Sequence, residues 1–154
     1  FDVEPARHDI QRADARELPL EDGSADFVFM DPPYSTHIEY SDSADCIGKL
    51  DAHSPAYYRA MDDAFRETAR VLKDHRYLAV YCGDSFQKKR GFAPIGAGLF
   101  ALLVQRFVPV DHIAVVRGNR KLEKPRWHAE AAKGNYFLRG FNHLLIFKQV
   151  REEA

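Results

Sequence analysis

The chain has few cysteines and no long apolar run, and each shortage excludes a class of protein. Its two cysteines, Cys46 and Cys82, have no CxxC spacing and no matching histidine cluster, so we expect neither a disulfide framework nor a metal site. The longest apolar run, Leu99–Val104, is far shorter than the ~20 residues of a membrane span. No signal peptide with a basic start opens the chain, and we expect a cytoplasmic protein without membrane contact.

Net charge is also nearly absent. A formal charge of −1 excludes a protein that binds nucleic acid over its whole surface, so any such contact must be local. The 154 residues are 45% hydrophobic and 29% charged, which is typical of one compact domain with a sizeable core. We find no internal repeat and no low-complexity tract.

Short apolar runs alternate with helical patterns, which predicts an α/β sheet. Phe27–Met30 is an unbroken apolar run, and we expect a central strand buried on both faces. Ser54 and Pro55 predict a helix with a hydroxyl N-cap, and a second helix is expected over Ile95–Phe107. Other strand-like segments are Phe1–Glu4, Asp9–Ala13, Tyr77–Tyr81, Val110–Val116 and Leu144–Phe147.

The most informative motif is Asp31-Pro32-Pro33-Tyr34, directly after the apolar run and therefore at the strand end where α/β sheets bind ligands. An exocyclic amino group of a base is a poor nucleophile because its lone pair is delocalised into the ring. The Asp31 carboxylate and the Pro32 carbonyl would each accept one of its hydrogens and free that lone pair, while consecutive prolines keep the rim stiff. Tyr34 would stack on the base, a contact of about 1–3 kcal/mol. A turn that only ends the strand is the alternative at this point.

The motif resembles the (Asp/Asn/Ser)-Pro-Pro-(Tyr/Phe/Trp) signature of the amino-methyltransferases, the DNA methylases that act on adenine N6 or cytosine N4. Val71–Val80 is similar to the helix end and strand that follow this loop in the family, and Asn142–Lys148 resembles its closing strand. The resemblance implies a Rossmann-like methyltransferase fold with an antiparallel last strand. It assigns residues 1–150 to that domain and leaves 151–154 as a tail.

The resemblance also implies S-adenosylmethionine as the cofactor. Phe1–Pro5 resembles the end of the family's second strand, where an acid binds the ribose hydroxyls, and Ala13–Pro19 resembles the next loop, near the cofactor's adenine. The family's Phe-x-Gly-x-Gly loop has no counterpart here. We therefore expect a chain incomplete at its N-terminus, with weak or absent cofactor binding of its own. The implied cofactor-binding residues are Asp2, with Glu4 as second choice for the same role, Asp14, Ala15 and Asp31.

A basic cluster lies in the polar segment Arg117–Gly140, which we expect to be a functional loop. A solvated loop is the ordinary explanation. The functional explanation is contact with phosphates, because the loop would leave the Val110–Val116 strand on the catalytic edge, where Lys88–Arg90 would also emerge. The candidate nucleic-acid-binding residues are Arg117, Arg120, Lys121, Lys124, Arg126 and Trp127.

Together these features predict a DNA amino-methyltransferase. Adenine N6 comes before cytosine N4 because the motif begins with Asp31, whereas many N4 enzymes of the family carry serine. One alternative is an RNA methyltransferase that acts on guanine N2 or adenine N6. The other is a nucleic-acid-binding module without catalysis. The sequence carries no signal of oligomeric state.

Overall fold

The computed structural model describes residues 1–33, 41–42, 46–87, 89–118 and 123–151. Within these ranges the chain forms a four-stranded sheet, a two-stranded hairpin, three α-helices and one 3-10 turn at Ile47–Lys49. The strands are β1 (Ala25–Met30), β2 (Leu72–Cys82), β3 (Ser85–Gln87), β4 (Gly91–Ala93), β5 (Val108–Val116) and β6 (Phe141–Lys148). The helices are α1 (Pro55–Val71), α2 (Ile95–Leu103) and α3 (Pro125–Gly134).

The sheet has the strand order β1-β2-β6-β5. Strands β1 and β2 are parallel, and β6 is antiparallel to both β2 and β5. The carboxyl ends of β1, β2 and β5 therefore lie at one edge of the sheet, together with the start of β6. This arrangement confirms the predicted α/β class and the antiparallel last strand.

Helix α1 begins where the sequence predicted. The hydroxyl of Ser54 accepts a hydrogen bond from the backbone N–H of Ala56 at 3.1 Å, and Pro55 occupies the first turn, where its missing N–H has no cost. The helix ends at Val71 and the chain enters β2 at the next residue. None of the helices in the described ranges is both long and apolar enough to cross a membrane. The buried residues of α1 are Tyr57, Ala60, Met61, Ala64, Phe65, Thr68 and Val71.

Helices α1 and α2 pack on one face of the sheet and enclose the core. Alternate residues of β2 and β6 point into it, as the period of two along a strand requires. Helix α2 ends at Leu103, four residues earlier than predicted. Burial of this apolar surface is the main stabilising contribution to the fold. The fully buried side chains include Phe65, Leu78, Val80, Leu99, Leu145 and Phe147.

Strand β1 corrects one prediction. We expected Phe27–Met30 to be buried on both faces, but β1 is an edge of the described four-stranded sheet and only one of its faces is covered. Val28 and Met30 pack against the core, whereas Phe27 and Phe29 are each 58% exposed on the opposite face. An unbroken apolar run does not reveal whether other elements cover one face of the strand or both.

Two further features were not predicted. Strands β3 and β4 form an antiparallel hairpin directly after β2. Helix α3 occupies part of the segment that we expected to be a loop, and it begins with Pro125 in its first turn.

The segments Phe1–Glu4 and Asp9–Ala13 form only an isolated parallel bridge between Asp2 and Arg12 rather than regular strands.

Candidate active site

A cavity of about 390 Å³ lies beside the carboxyl end of β1. Its size falls in the range of small-molecule sites, roughly 300–1,000 Å³. The N-terminal segment, the end of β1, the 3-10 turn and one face of α1 enclose it. The lining includes Phe1, Asp2, Val3, Ala13, Asp14, Ala15, Leu18, Met30, Asp31, Pro32, Pro33, Ile47, Met61 and Thr68.

Asp31 places a carboxylate at the mouth of this cavity. The residue is exposed, yet the protein atoms around the carboxyl remove enough water to raise its pKa above the ordinary aspartate value. No hydrogen bond or ion pair joins this carboxylate to another residue in the described ranges. Pro32 is buried beside it and has no N–H to donate. Within the described part of the chain, the Asp31 carboxylate is therefore available to accept a hydrogen bond from a ligand.

Asp14 lies in the same cavity, but its pKa is shifted in the opposite direction to that of Asp31. Its carboxylate accepts hydrogen bonds from the Arg16 guanidinium at 2.9 and 2.6 Å and from the backbone N–H of Arg16 at 2.9 Å. These bonds hold the pKa of Asp14 below its ordinary value. Asp14 is thus neutralised by its own ion pair, whereas Asp31 has no such partner in the described part of the chain.

Of the other sequence-predicted cofactor residues, Asp2 and Ala15 line the cavity. Asp2 is fixed by backbone bonds with Gln11 and Ala13, and one of its carboxylate oxygens accepts the backbone N–H of Glu4 at 2.8 Å. Glu4 does not line the cavity. Hydrogen bonds from the Ser41 side chain and the Asp42 backbone engage its carboxylate and lower its pKa.

Three predicted site residues, Tyr34, Arg120 and Lys121, lie outside the described residues. Lys88 is likewise outside them. The neighbouring Arg90 forms an ion pair with Asp51.

The other predicted nucleic-acid-binding residues lie beyond the carboxyl end of β5. Lys124 and Arg126 are exposed at the start of α3, and the Arg126 guanidinium lies 4.9 Å from the ring centroid of the half-buried Trp127. Arg117 is not a free cation at the surface. Its guanidinium donates to the side-chain oxygen of Asn142 through two nitrogens.

Two polar arrays at the same edge of the sheet were missed by the sequence reasoning. In the first, Asn142 connects Arg117 to the Tyr81 hydroxyl. In the second, His143 contacts His112 at 2.8 Å and Asp84 at 3.1 Å, and Asp84 also accepts the backbone N–H of Gly96. No sequence motif marks either set, because its members come together only through strand pairing.

The cysteines offer no nucleophile. Cys46 and Cys82 are both buried and free. Desolvation first, and then the nearby charges of Asp84 and Asp31, raise the pKa of Cys82 to about 12, so its thiol stays protonated at neutral pH. Among the described residues no cluster of histidine, cysteine, aspartate and glutamate could hold a metal ion.

Comparison with known proteins agrees with this geometry. The sequence model of a family described as DNA methylase (N6_N4_Mtase) matches residues 25–153. No curated protein sequence matches the chain significantly.

Solved structures share the fold at low sequence identity. The PvuII DNA methyltransferase, which is cytosine-N4-specific, superposes with a TM-score of 0.65 at 14% identity, over 88% of this chain and 47% of its own. A protein from Thermus thermophilus described as a DNA modification methylase, in complex with S-adenosyl-L-methionine, gives 0.62 at 18% identity, over 92% and 55%. The chain therefore spans about half the length of these structures.

Proposed function

This chain belongs to the DNA methylase family N6_N4_Mtase, and on that premise we propose that it transfers a methyl group to the exocyclic amino nitrogen of a base in DNA. We propose adenine N6 as the acceptor, with cytosine N4 as the alternative. S-adenosylmethionine is the proposed methyl donor, and residues 1–150 are the proposed methyltransferase domain. The observation that carries the proposal is the position of the Asp31 carboxylate, which borders a ligand-sized cavity at a strand end. This carboxylate has no hydrogen-bond or ion-pair partner in the described ranges.

The chemistry follows from acceptors at this edge of the sheet. The Asp31 carboxylate and the Pro32 carbonyl accept the two hydrogens of the amino group, which favours a tetrahedral nitrogen with its lone pair directed at the methyl donor. A hydrogen bond to a charged acceptor contributes about 1.5–3 kcal/mol, and in a partly desolvated site it is stronger than in water. Tyr34, as a stacking platform for the base, remains a sequence-based prediction.

The described residues fit the nucleoside part of S-adenosylmethionine. Leu18 and Ile47 give the cavity apolar walls against which a purine can pack. Asp2 has a second carboxylate oxygen that can accept from ribose hydroxyls, because only one accepts the Glu4 N–H. Bound there, the cofactor supplies an electrophilic methyl group to the edge where Asp31 lies.

Contact with DNA is proposed for the segment after β5. Lys124 and Arg126 add positive charge at the N-terminus of α3, where the helix dipole also favours phosphate. Replacing both by alanine is expected to weaken binding across all DNA sequences and to reduce the slope of log K against log salt by about two. A slope equal to that of the unchanged protein contradicts this assignment.

The deciding experiment replaces Asp31 by alanine in the full-length protein. We expect single-turnover transfer of labelled methyl groups to DNA to fall roughly 10²–10³-fold, while DNA affinity changes little. The matched control is Asp26→Ala, which removes an exposed carboxylate from the same strand without touching the cavity.

Turnover of Asp31→Ala within threefold of the control refutes the catalytic assignment. Parallel assays with tRNA identify the alternative of an RNA substrate, since label would then enter only RNA. Hydrolysis of the labelled DNA identifies the methylated base as N6-methyladenine or N4-methylcytosine.

A further inference from the structure

Tyr81, Asn142 and Arg117 form a hydrogen-bond array whose direction is set by its charged end. Arg117 Nε donates to Asn142 Oδ1 at 2.6 Å, and Asn142 Nδ2 donates to the Tyr81 hydroxyl oxygen at 2.6 Å. A guanidinium can only donate, so the amide of Asn142 must accept with its oxygen and donate with its nitrogen. Asn142 is only 4% exposed, so this orientation has little freedom to change.

The array leaves the proton of Tyr81 uncommitted. Because the hydroxyl oxygen already accepts from Asn142, its own O–H points away from the array. No residue in the described ranges accepts a hydrogen bond from it, and Tyr81 is only half-buried. The end of the array is therefore a hydrogen-bond donor in a fixed position.

The residue that carries this donor is the sheet neighbour of the proposed catalytic aspartate. Met30 of β1 pairs with Val80 of β2, so Asp31 and Tyr81 are the next residues on neighbouring parallel strands, which lie about 4.8 Å apart. The Tyr81 side chain also leans toward the carboxyl edge. Its ladder partner on β6 is Leu144, yet its hydroxyl reaches Asn142, two residues closer to that edge.

We propose that Tyr81 is a further substrate-binding residue, whose hydroxyl donates a hydrogen bond to the ring nitrogen next to the target amino group. The inference rests on the proposed function. In adenine that nitrogen is N1 and in cytosine it is N3, and both are acceptors. Together with the acceptors Asp31 and Pro32, one donor recognises an amino group beside an unprotonated ring nitrogen. Thymine and uracil present a carbonyl beside an N–H and are rejected, because their polar groups would meet like partners.

The test removes the hydrogen bond from each side in turn in the full-length protein. Tyr81→Phe is expected to lower kcat/KM for the natural base about tenfold, as for loss of one buried hydrogen bond. Wild-type protein on DNA with 1-deazaadenine, or 3-deazacytosine if cytosine is the target, should show a similar loss. The Tyr81→Phe variant on the deaza base should lose nothing more, because both changes delete the same bond.

Asn142→Asp offers an independent test that keeps the shape of the array. Its carboxylate still accepts from Arg117 but cannot donate, so the Tyr81 hydroxyl must turn and donate to residue 142. This variant should match the loss seen with Tyr81→Phe while its thermal unfolding midpoint stays close to that of the wild type.

Three results overturn the proposal. They are an unchanged wild-type kcat/KM on the deaza base, a loss on the deaza base that is as large in Tyr81→Phe as in the wild type, or full activity of Asn142→Asp. The first test needs no variant and is valid even if a variant fails to fold. Failure of the proposed function is recognised separately, because the wild-type protein would then transfer no label to DNA, or Asp31→Ala would keep the wild-type transfer activity.

Discussion

We predict opposite changes in stability when Asp31 and Asp14, two carboxylates of the cavity, are each replaced by asparagine. Burial raises the pKa of Asp31 in the folded protein. For an acid whose folded pKa lies above its unfolded value, the free energy of unfolding falls as pH rises from about 4 through the folded pKa. Asp31→Asn removes this loss, so the variant is expected to be more stable than the wild type at neutral pH.

Asp14→Asn is the matched control with the opposite sign. The Arg16 guanidinium lowers the pKa of Asp14, so the ionised form stabilises the fold above about pH 4 and this contribution is lost as pH falls. Leaving a buried polar group without a partner costs about 1–3 kcal/mol, which solvent contact at Asp31 reduces to roughly 0.5–1 kcal/mol. A partly exposed ion pair contributes about as much. At roughly 2–4 °C per kcal/mol, the unfolding midpoints should shift by about 1–4 °C, upward for Asp31→Asn and downward for Asp14→Asn.

Thermal unfolding at pH 5 and pH 8 tests both signs. The gain from Asp31→Asn should be larger at pH 8, because more of the wild-type carboxyl is then ionised. A destabilised Asp31→Asn protein at pH 8, with Asp14→Asn behaving as expected, would show that Asp31 has a stabilising partner and would refute our account of the site.

Three further predictions concern the site and the fold. The ionised form of Asp31 is the hydrogen-bond acceptor, so the acid limb of the pH profile of kcat/KM, which reports the free enzyme, should lie above the ordinary aspartate pKa. A limb at or below that value contradicts the direction of the pKa shift. Gly96→Ala should destabilise the fold by about 1–3 kcal/mol, since its Cβ would lie 2.4 Å from the His143 ring, whereas Gly118→Ala, with no atom within 4 Å, should be near neutral in urea unfolding. Ser54→Ala should cost about 1 kcal/mol in the same assay by removing the cap of α1, and an unchanged midpoint argues against that cap.

The opposing states of Asp31 and Asp14 carry a functional meaning. A protein selected for stability alone would pair both carboxylates, as it pairs Asp14 with Arg16. We propose that Asp31 is instead left to accept from a ligand, and desolvation of its carboxyl raises its pKa. Stability and methyl transfer are therefore expected to change in opposite directions when Asp31 is replaced.

Local patterns in the sequence were sufficient for much of the fold. The Ser54-Pro55 start of α1 was predicted because capping depends on a few adjacent residues, and the apolar runs of β1, β2 and β6 were recognised because burial demands them. Helix α3 was missed because the polar composition of its segment favoured a loop, although Pro125 is a residue typical of the first turn of a helix. The exposure of Phe27 and Phe29 could not be predicted, since an apolar run looks the same whether one face or both are covered.

The sequence by itself determined the α/β class and the family, and it supplied the proposed catalytic motif, because each is written in contiguous residues whose chemistry is local. Tertiary structure alone decided which polar groups act together. Tyr81, Asn142 and Arg117 are far apart in the chain, and only strand pairing brings them into one array. It also decided that Asp14 is paired while Asp31 has no partner among the described residues, since a carboxyl's pKa depends on the water and charges that folding removes or brings near.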